Sequence, residues 1–388
     1  MKHNKTSTIT ELIFFSLALI AVIITVTCAS TDTRKNYTPA FLPEAVEINK
    51  NGIKITVNPS IELLAVIQFL SNYRDLGLIT TLEFEYMKSV NAYFTDFKEQ
   101  EAIYFINRHM RNGFTFHVPP TAALMIKPDF TLDQIAFTTT NYFCECENCD
   151  IPSIIPEFIS VMKSFYFSSD LKTFFLDQKD FYTSILEQSA RAFPDWDMTS
   201  VMESFYGKSL EGYNIVLSPL LHSGGYGPLI MHEYGLVAYS VMGPGNVNEN
   251  GLPVFGDNKW FTYIVLHEFG HSFLSFAHSD NINIHKMLET SEYLMEPIRE
   301  RMARMAYPNW NIACEELILR AIVIRMLTDN QQTDTAELLS MEHDQGFIYI
   351  HTVYDLLQKY LDNRKIYPAF DDFIPILIGE LMQIHPRP

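Results

Sequence analysis

The stretch from Trp260 to His278, WFTYIVLHEFGHSFLSFAH, contains the pattern His267-Glu268-x-x-His271 within a nearly continuous apolar run. An apolar surface on all sides predicts a helix that is buried in the core. Histidines four positions apart on a helix lie on one face, so both imidazoles can bind the same cation. Because buried imidazole and carboxylate groups are costly without partners, this run predicts a bound metal ion.

Zinc is the metal that suits these donors, because it accepts neutral imidazole nitrogens at ~2.0–2.1 Å. With only three protein ligands, zinc keeps a fourth position for water, whose pKa falls to about 7. Glu268 follows His267 directly, where its carboxylate can take a proton from that water. We therefore expect one Zn²⁺ per chain, bound by His267 and His271, with Glu268 as the general base.

One candidate for the third ligand is His278. The longer pattern HExxHxxGxxH requires a glycine at Leu274 and a histidine at Ala277, and neither is present. On an unbroken helix His278 lies on the face of His267 and His271, but ~10 Å beyond His271 along the axis. One ion cannot reach all three histidines, so a role at the helix C-terminus, where the helix dipole favours histidine, is the preferred interpretation.

The other candidate lies on a second predicted helix, which reads NWNIACEELILRA from Asn309 to Ala321. It carries Glu315 and Glu316, and Arg320 stands four positions after Glu316, a spacing that suits an ion pair. A glutamate from a later helix completes a His-His-Glu zinc site, and we choose Glu316 over Glu315. The simpler interpretation is that both acids are solvated residues of a first helical turn.

The rest of the chain predicts an α+β fold with a small mixed sheet. Residues 51–205 are mostly helical in pattern, with a first strand from Ile53 to Val57, and residues 206–388 form the predicted metallopeptidase region. Asn214–Leu221 and Leu236–Met242 are typical of two strands, a hairpin or neighbours, joined by the glycine-rich run SGGYGP. A strand edge beside the metal site can hold an extended peptide, although ordinary sheet packing explains these strands equally well.

Residues 1–29 have the pattern of an export signal. Two lysines precede an apolar run, Leu12–Val26, which ends in small residues around Cys28. Cys28 resembles the lipidated cysteine of a bacterial lipoprotein, and simple cleavage after Ala29 or retention as an anchor remain open. Residues 30–50 form a predicted linker. We therefore expect an exported protein, either in the cell envelope, lipid-anchored or periplasmic, or secreted.

The number of cysteines bears on possible disulfides and metal sites, and the net charge bears on possible binding partners. If Cys28 is removed or lipidated, Cys144, Cys146, Cys149 and Cys314 remain, an even number that allows two disulfides. In an exported chain we favour a disulfide in a surface loop over a second metal site. The formal net charge of -18 argues against a nucleic-acid partner.

Five blocks of the sequence together resemble a known family. They read SPLLHSGGYG, VLHEFGHSF, NWNIACEELILRA, GFIYIHTVYDLLQKY and YPAFDDFIPIL. They are similar to a domain-of-unknown-function family of exported bacterial HExxH proteins, whose pattern resembles that of gluzincin zinc metallopeptidases. The resemblance runs from about Ile53 to the C-terminus. It implies a zincin-like catalytic region with His267, His271 and Glu316 as ligands and Glu268 as base. The turn signal expected after the motif is missing, which predicts a longer motif helix in this chain.

These observations favour a zinc-dependent metallopeptidase that acts on a peptide or protein substrate. Several side chains can stabilise the transition state, and Tyr354 and His351 in a later helical stretch are our choices. Two alternatives are open: an exported binding or surface-assembly protein with a structural metal, and a zinc hydrolase of a non-peptide amide. Glu268 favours catalysis, because a structural site needs a fourth protein ligand rather than a base.

Overall fold

The described residues form a six-stranded mixed sheet and a larger number of helices. The computed structural model describes residues 41–139, 150–274, 276, 281–330 and 334–384, which belong to one compact unit. The strands of the sheet are β1 (Val46–Lys50), β2 (Ile53–Val57), β3 (Gly212–Leu217), β4 (Gly224–Tyr226), β5 (Leu229–His232) and β6 (Gly235–Gly243). Their order is β1-β2-β3-β6-β4, and β5 also pairs with β6. A separate two-stranded sheet joins β7 (Asn246–Val247) to β8 (Pro253–Val254).

The α-helices cover most of the remaining described residues, so the predicted α+β class is confirmed. Before β3 they are α1 (Pro59–Leu70), α2 (Glu85–Phe94), α3 (Glu101–His109), α4 (Val118–Leu124), α5 (Gln134–Thr139), α6 (Ile151–Ser168), α7 (Leu171–Asp177), α8 (Lys179–Arg191) and α9 (Met198–Tyr206). After β8 they are α10 (Asn258–His271), α11 (Ile282–Ser291), α12 (Arg299–Arg304), α13 (Trp310–Asp329), α14 (Thr335–Gln345), α15 (Ile350–Asp362) and α16 (Ile374–Leu381).

The helical N-terminal region connects two neighbouring strands. β2 and β3 are parallel, with Ile55 opposite Ile215, and α1–α9 lie in the chain between them. A parallel pair needs such a crossover, because the chain must return to the same end of the sheet. β2 confirms the strand predicted from the alternation of residues 53–57, and β1, inside the expected linker, pairs with it in antiparallel fashion.

The glycine-rich run is itself a strand. β3 and β6 are parallel neighbours, with Ile215 opposite Ser240, so the prediction of neighbouring strands is confirmed and the hairpin alternative is wrong. The run between them crosses to the other side of β6, where β4 pairs with Met242 and its neighbours in antiparallel fashion. β4 therefore ends the strand order of the described sheet.

The motif helix α10 packs on β4, on β6 and on α13. Gly270 permits the close approach to α13, because a Cβ at this position would lie 2.3 Å from the Leu319 side chain. His271 is the next residue along α10, and Glu316 lies one turn before Leu319 on the same face of α13. The glycine contact therefore brings the end of the motif close to the Glu316 side chain.

The expectation of a longer motif helix is wrong. α10 ends at His271, and the Ser272 and Phe273 amides donate to the carbonyls of Phe269 and Gly270, which tightens the last turn. The helix that carries the two histidines of the motif therefore ends before Ser272. His278 itself lies outside the described residues.

The predicted disulfides also need a correction. Cys314 is a free thiol inside α13 and has no measurable exposure, so it takes part in no disulfide. Burial raises the pKa of this thiol, with a further contribution from Glu315. Cys144, Cys146 and Cys149 lie outside the described residues, as do residues 1–40 with the expected export signal and most of the linker. None of the described helices combines the length and apolar character needed to span a bilayer.

Candidate metal centre

Two helices bring three possible ligands together. His267 and His271 lie in the last turns of α10, whose first turn is capped by Asp257. Glu316 lies in the second turn of α13, which is capped by Asn309. The Nε2 atom of His267 is 3.5 Å from Oε2 of Glu316, and the Nε2 atom of His271 is 3.4 Å from Oε1. Of the described residues, these three form the group whose ligand atoms can hold one ion.

The geometry of the three residues fits a tetrahedral ion. Ligands at ~2.0–2.1 Å from a zinc ion in tetrahedral geometry lie ~3.3–3.4 Å from one another. Each histidine faces a different oxygen of Glu316, and the two nitrogen-to-oxygen separations, 3.5 and 3.4 Å, are close to this value. They are longer than good hydrogen bonds between imidazole and carboxylate, so direct pairing alone does not explain the arrangement.

The His267 ring is in the form that binds metals. It is only 9% exposed, and burial lowers its pKa well below 6.5, assisted by the nearby His271 and Arg320. A neutral imidazole is the form that binds a metal ion. Its Nδ1 atom is buried and has no hydrogen-bond partner among the described residues. The ring instead packs parallel to Tyr263, one turn earlier, with centroids 6.4 Å apart.

Glu268 lies against strand β4. Its side chain is 7% exposed, and a Cβ added to Gly225 would lie 2.9 Å from its Oε1 atom. Glycine at this position therefore makes room for the carboxylate. Burial, with a smaller contribution from Glu316, raises the pKa of Glu268 to about 8, and Arg320 partly opposes these two effects. A divalent cation nearby would also favour the ionised form.

A network of buried polar groups surrounds Glu316. The Tyr307 hydroxyl donates to Oε2 of Glu316 at 3.0 Å, and Nε of Arg320 lies 3.5 Å from the same oxygen. Arg320 also donates to both oxygens of Glu342, at 3.2 and 2.9 Å. The Tyr263 hydroxyl donates to Glu342 at 2.5 Å, which links the network back to α10. The ion pair predicted from the spacing of Glu316 and Arg320 is thus present.

The charges of this cluster favour a divalent cation. Glu268, Glu316 and Glu342 are at most 7% exposed, and one guanidinium, Arg320, lies among them. When all four groups are ionised the cluster has a formal charge of −2. Buried charge of one sign is costly unless it is compensated, and a dication between the histidines and Glu316 would balance it.

The second acid of the pair on α13 has different neighbours. Glu315 is as buried as Glu316 but lies near Cys314 and Tyr206. The simpler interpretation, in which both acids are solvated residues of a first turn, is therefore wrong. Successive helical residues point about 100° apart, so only one acid of the pair faces α10 in this way.

The contacts of Tyr354 and His351 are with residues other than the three ligands. Both lie on α15, where Tyr354 packs beside Arg325 and the exposed His351 faces the His343 ring. Arg325 lies nine residues beyond Glu316 on α13, which corresponds to ~13 Å along the axis. No contact of these two side chains supports a role in stabilising a transition state.

Sequence reasoning missed three residues of the site. Tyr307 lies in the connection before α13, Tyr263 lies one turn before His267, and Glu342 lies on α14 without measurable exposure. Of the three, only Tyr263 could have been predicted from the sequence, because its spacing from His267 places it on the same face of α10. Glu342 stands in the polar run SMEHDQG, which is typical of a solvated helix end.

Comparison with known proteins identifies the family but no characterised relative. No curated protein and no solved structure matches the chain. A family described as a domain of unknown function, DUF4932, matches residues 53–380. This confirms the predicted membership of a domain-of-unknown-function family over most of the chain. The match covers the sheet except β1, both ligand helices and the helix that carries Glu342, and the chain belongs to the DUF4932 family.

Proposed function

We propose that this protein is a zinc-dependent metallopeptidase of gluzincin-like type, with His267, His271 and Glu316 as ligands and Glu268 as general base. The observation that carries the proposal is the convergence of these three side chains, at 3.4 and 3.5 Å, from two helices whose contact is set by Gly270. The described residues offer three ligands and no fourth, which favours a catalytic over a structural site.

Each residue has a defined part in hydrolysis. When bound, zinc polarises the scissile carbonyl and increases the acidity of water. Glu268 takes a proton from the attacking water as its oxygen bonds to the carbonyl carbon, and then delivers that proton to the leaving nitrogen as the C–N bond breaks. One peptide bond and one water thus become a carboxylic acid and an amine. The buried position of Glu268 beside Gly225 orients it for this transfer.

Strand β4 supports a peptide as the substrate. It is three residues long, from Gly224 to Tyr226, and it ends the strand order of the sheet directly above Glu268. An extended peptide can pair with such an edge through main-chain hydrogen bonds. Pairing there would hold a backbone carbonyl close to the ligands, whatever the side chains of the substrate.

Metal analysis combined with digestion of a peptide library tests the proposal. We expect the purified protein to bind about one zinc ion and to cleave peptides. Glu268→Gln should keep the zinc and lose at least ~100-fold in kcat, because general acid–base catalysis contributes about that factor or more. Glu62→Gln, a change at a buried glutamate in another cluster, is the matched control and should keep both zinc and activity.

Three results would contradict the proposal. Absence of stoichiometric zinc would remove the metal site. Undiminished cleavage by Glu268→Gln would remove the proposed base. Cleavage of a non-peptide amide but of no peptide would show that the enzyme is a hydrolase of a non-peptide substrate.

We also propose that the protein is exported, because its first residues combine lysines with the apolar run Leu12–Val26 and a cysteine at position 28. Labelling with a radioactive fatty acid distinguishes a lipid-anchored form from a cleaved one. A Cys28→Ala variant that still takes up the label would contradict lipidation at this residue.

A further inference from the structure

The two carboxylate oxygens of Glu316 have different surroundings. Oε2 accepts the Tyr307 hydroxyl at 3.0 Å and lies 3.5 Å from Nε of Arg320. Oε1 lies 3.4 Å from Nε2 of His271. Oε2 also lies 3.5 Å from Nε2 of His267, so each oxygen faces one histidine, and Oε2 in addition accepts a hydrogen bond from the protein.

We propose that Tyr307, itself held by Arg320, is a positioning residue that fixes the Glu316 carboxylate as a metal ligand. This inference rests on the proposed metal site, and it adds the residues that orient one of its ligands. The Tyr307 hydrogen bond restricts rotation of the carboxylate, so that both of its oxygens stay directed towards the two histidines.

The direction of the hydrogen bonds supports this role for Tyr307. Nη2 of Arg320 lies 3.2 Å from the Tyr307 oxygen. A guanidinium has only donors, so the tyrosine oxygen accepts from Arg320 and its own proton is available for Glu316. Hydrogen bonds to ionised groups are stronger than those between neutral groups, and both ends of this chain are charged.

Arg320 is itself held from several sides. Nη1 donates to both oxygens of Glu342, and the guanidinium carbon lies 4.5 Å from the centroid of the Phe347 ring. Glu342 also accepts from Tyr263 on the motif helix. The chain Tyr263–Glu342–Arg320–Tyr307 thus connects α10, α14, α13 and the connection before α13. Such a closed arrangement fixes the Glu316 carboxylate relative to the two histidines.

The test compares two tyrosine variants that each lose one hydroxyl of this network. Tyr307→Phe removes the donor to Glu316, and Tyr263→Phe, the matched control, removes a donor to Glu342 only. Zinc affinity is measured by competition with a chromophoric chelator. We expect Tyr307→Phe to lower the affinity about 10–100-fold, the usual effect of removing an outer partner of a ligand, and Tyr263→Phe to lower it less.

Cobalt gives a second readout that does not depend on activity. Co²⁺ in place of zinc reports coordination number, because four-coordinate Co²⁺ has stronger visible bands than five- or six-coordinate Co²⁺. We expect strong bands in the unaltered protein. In Tyr307→Phe the Glu316 carboxylate loses its hydrogen bond, so the intensity of the bands should change.

The outcomes separate the two proposals. A protein that binds no stoichiometric zinc or cobalt contradicts the metal site itself. Unchanged affinity and spectrum in Tyr307→Phe, or an equal loss of affinity in both variants, contradicts the specific role of Tyr307.

Discussion

Two buried glutamates, Glu62 on α1 and Glu316 on α13, accept hydrogen bonds from tyrosine and yet lie in opposite environments. Glu62 accepts the Tyr86 hydroxyl at 2.6 Å and the Ser218 hydroxyl at 3.3 Å, and Tyr182 extends the chain from Tyr86 at 2.9 Å. Every partner in that cluster is a neutral hydroxyl. Glu316 instead lies beside two imidazoles and a guanidinium.

The two clusters differ in whether their polar atoms have hydrogen-bond partners. The cluster around Glu62 is closed in this sense, and the cluster around Glu316 is open. Each oxygen of Glu62 has a donor, and burial raises its pKa to about 7, partly offset by the hydrogen bonds of Tyr86 and Ser218. When Glu62 is protonated, the cluster carries no net charge and needs no ion to balance it. Around Glu316, Nδ1 of His267 and Nε of Arg320 are buried without a hydrogen-bond partner among the described residues. The Glu316 cluster therefore contains unsatisfied polar atoms, whereas both oxygens of the Glu62 carboxyl group have a partner.

The largest expected difference between the two clusters concerns metal affinity. Glu316→Ala should lower zinc affinity more than ~100-fold, because loss of a direct ligand exceeds the 10–100-fold loss typical of outer partners. Glu62→Gln should leave the affinity unchanged. Competition titration of both variants measures the difference. If Glu315→Ala loses zinc and Glu316→Ala keeps it, the third ligand is Glu315 and not Glu316.

The next effect concerns stability against pH. The pKa of Glu62 is about 7 in the folded state and 4.5 without its environment, so the protonated form is favoured by folding. The stabilisation is fully present below about pH 4.5 and is lost as the pH rises through about 7. Between pH 5 and pH 8 this group should cost the protein about 2.5 kcal/mol of unfolding free energy.

Urea unfolding of the natural protein and of Glu62→Gln measures this contribution. Glutamine cannot ionise, so the variant should gain stability relative to the natural protein as the pH rises. Other titrating groups affect both proteins alike and cancel in the difference. Parallel pH profiles would show that Glu62 is ionised in the folded state, and the contrast between the two clusters would then disappear.

The smallest expected effect is that of a substitution on strand β4, where the sheet lies against Glu268. In Gly225→Ala the new Cβ would lie 2.9 Å from Oε1 of Glu268, so the carboxylate must move by several tenths of an ångström. We expect a ~10-fold loss in kcat with zinc affinity retained, because small misplacements of a catalytic group are costly. The control is Gly212→Ala on β3, whose Cβ would lie at 3.6 Å from Val237. Equal activities of the two variants would argue against a catalytic position for Glu268.

Local spacing explains which parts of the site were predictable. His267 and His271 share a face because the helical repeat places residues four apart one above the other. The same reasoning predicted the ion pair of Glu316 with Arg320 and the β2 strand from its alternating residues. These features depend only on neighbours along the chain.

Local spacing also explains the errors. The end of α10 at His271 depends on how the chain leaves the core, which apolar residues on both sides of the motif did not reveal. The strand in the glycine-rich run depends on pairing with β6 and on the approach of Glu268. The buried thiol of Cys314 depends on which face of α13 enters the core.

The sequence by itself determined the α+β class, the buried motif helix and the pair of histidines on one side of it. The spacing to Arg320 already distinguished Glu316 from Glu315, but only the tertiary structure decided which side of α13 packs on α10 and so which acid meets the histidines. It also decided that Tyr307 and Glu342, from separate parts of the chain, surround that acid. Periodicity determines the face on which a side chain lies, whereas the packing of distant segments determines which groups that face meets.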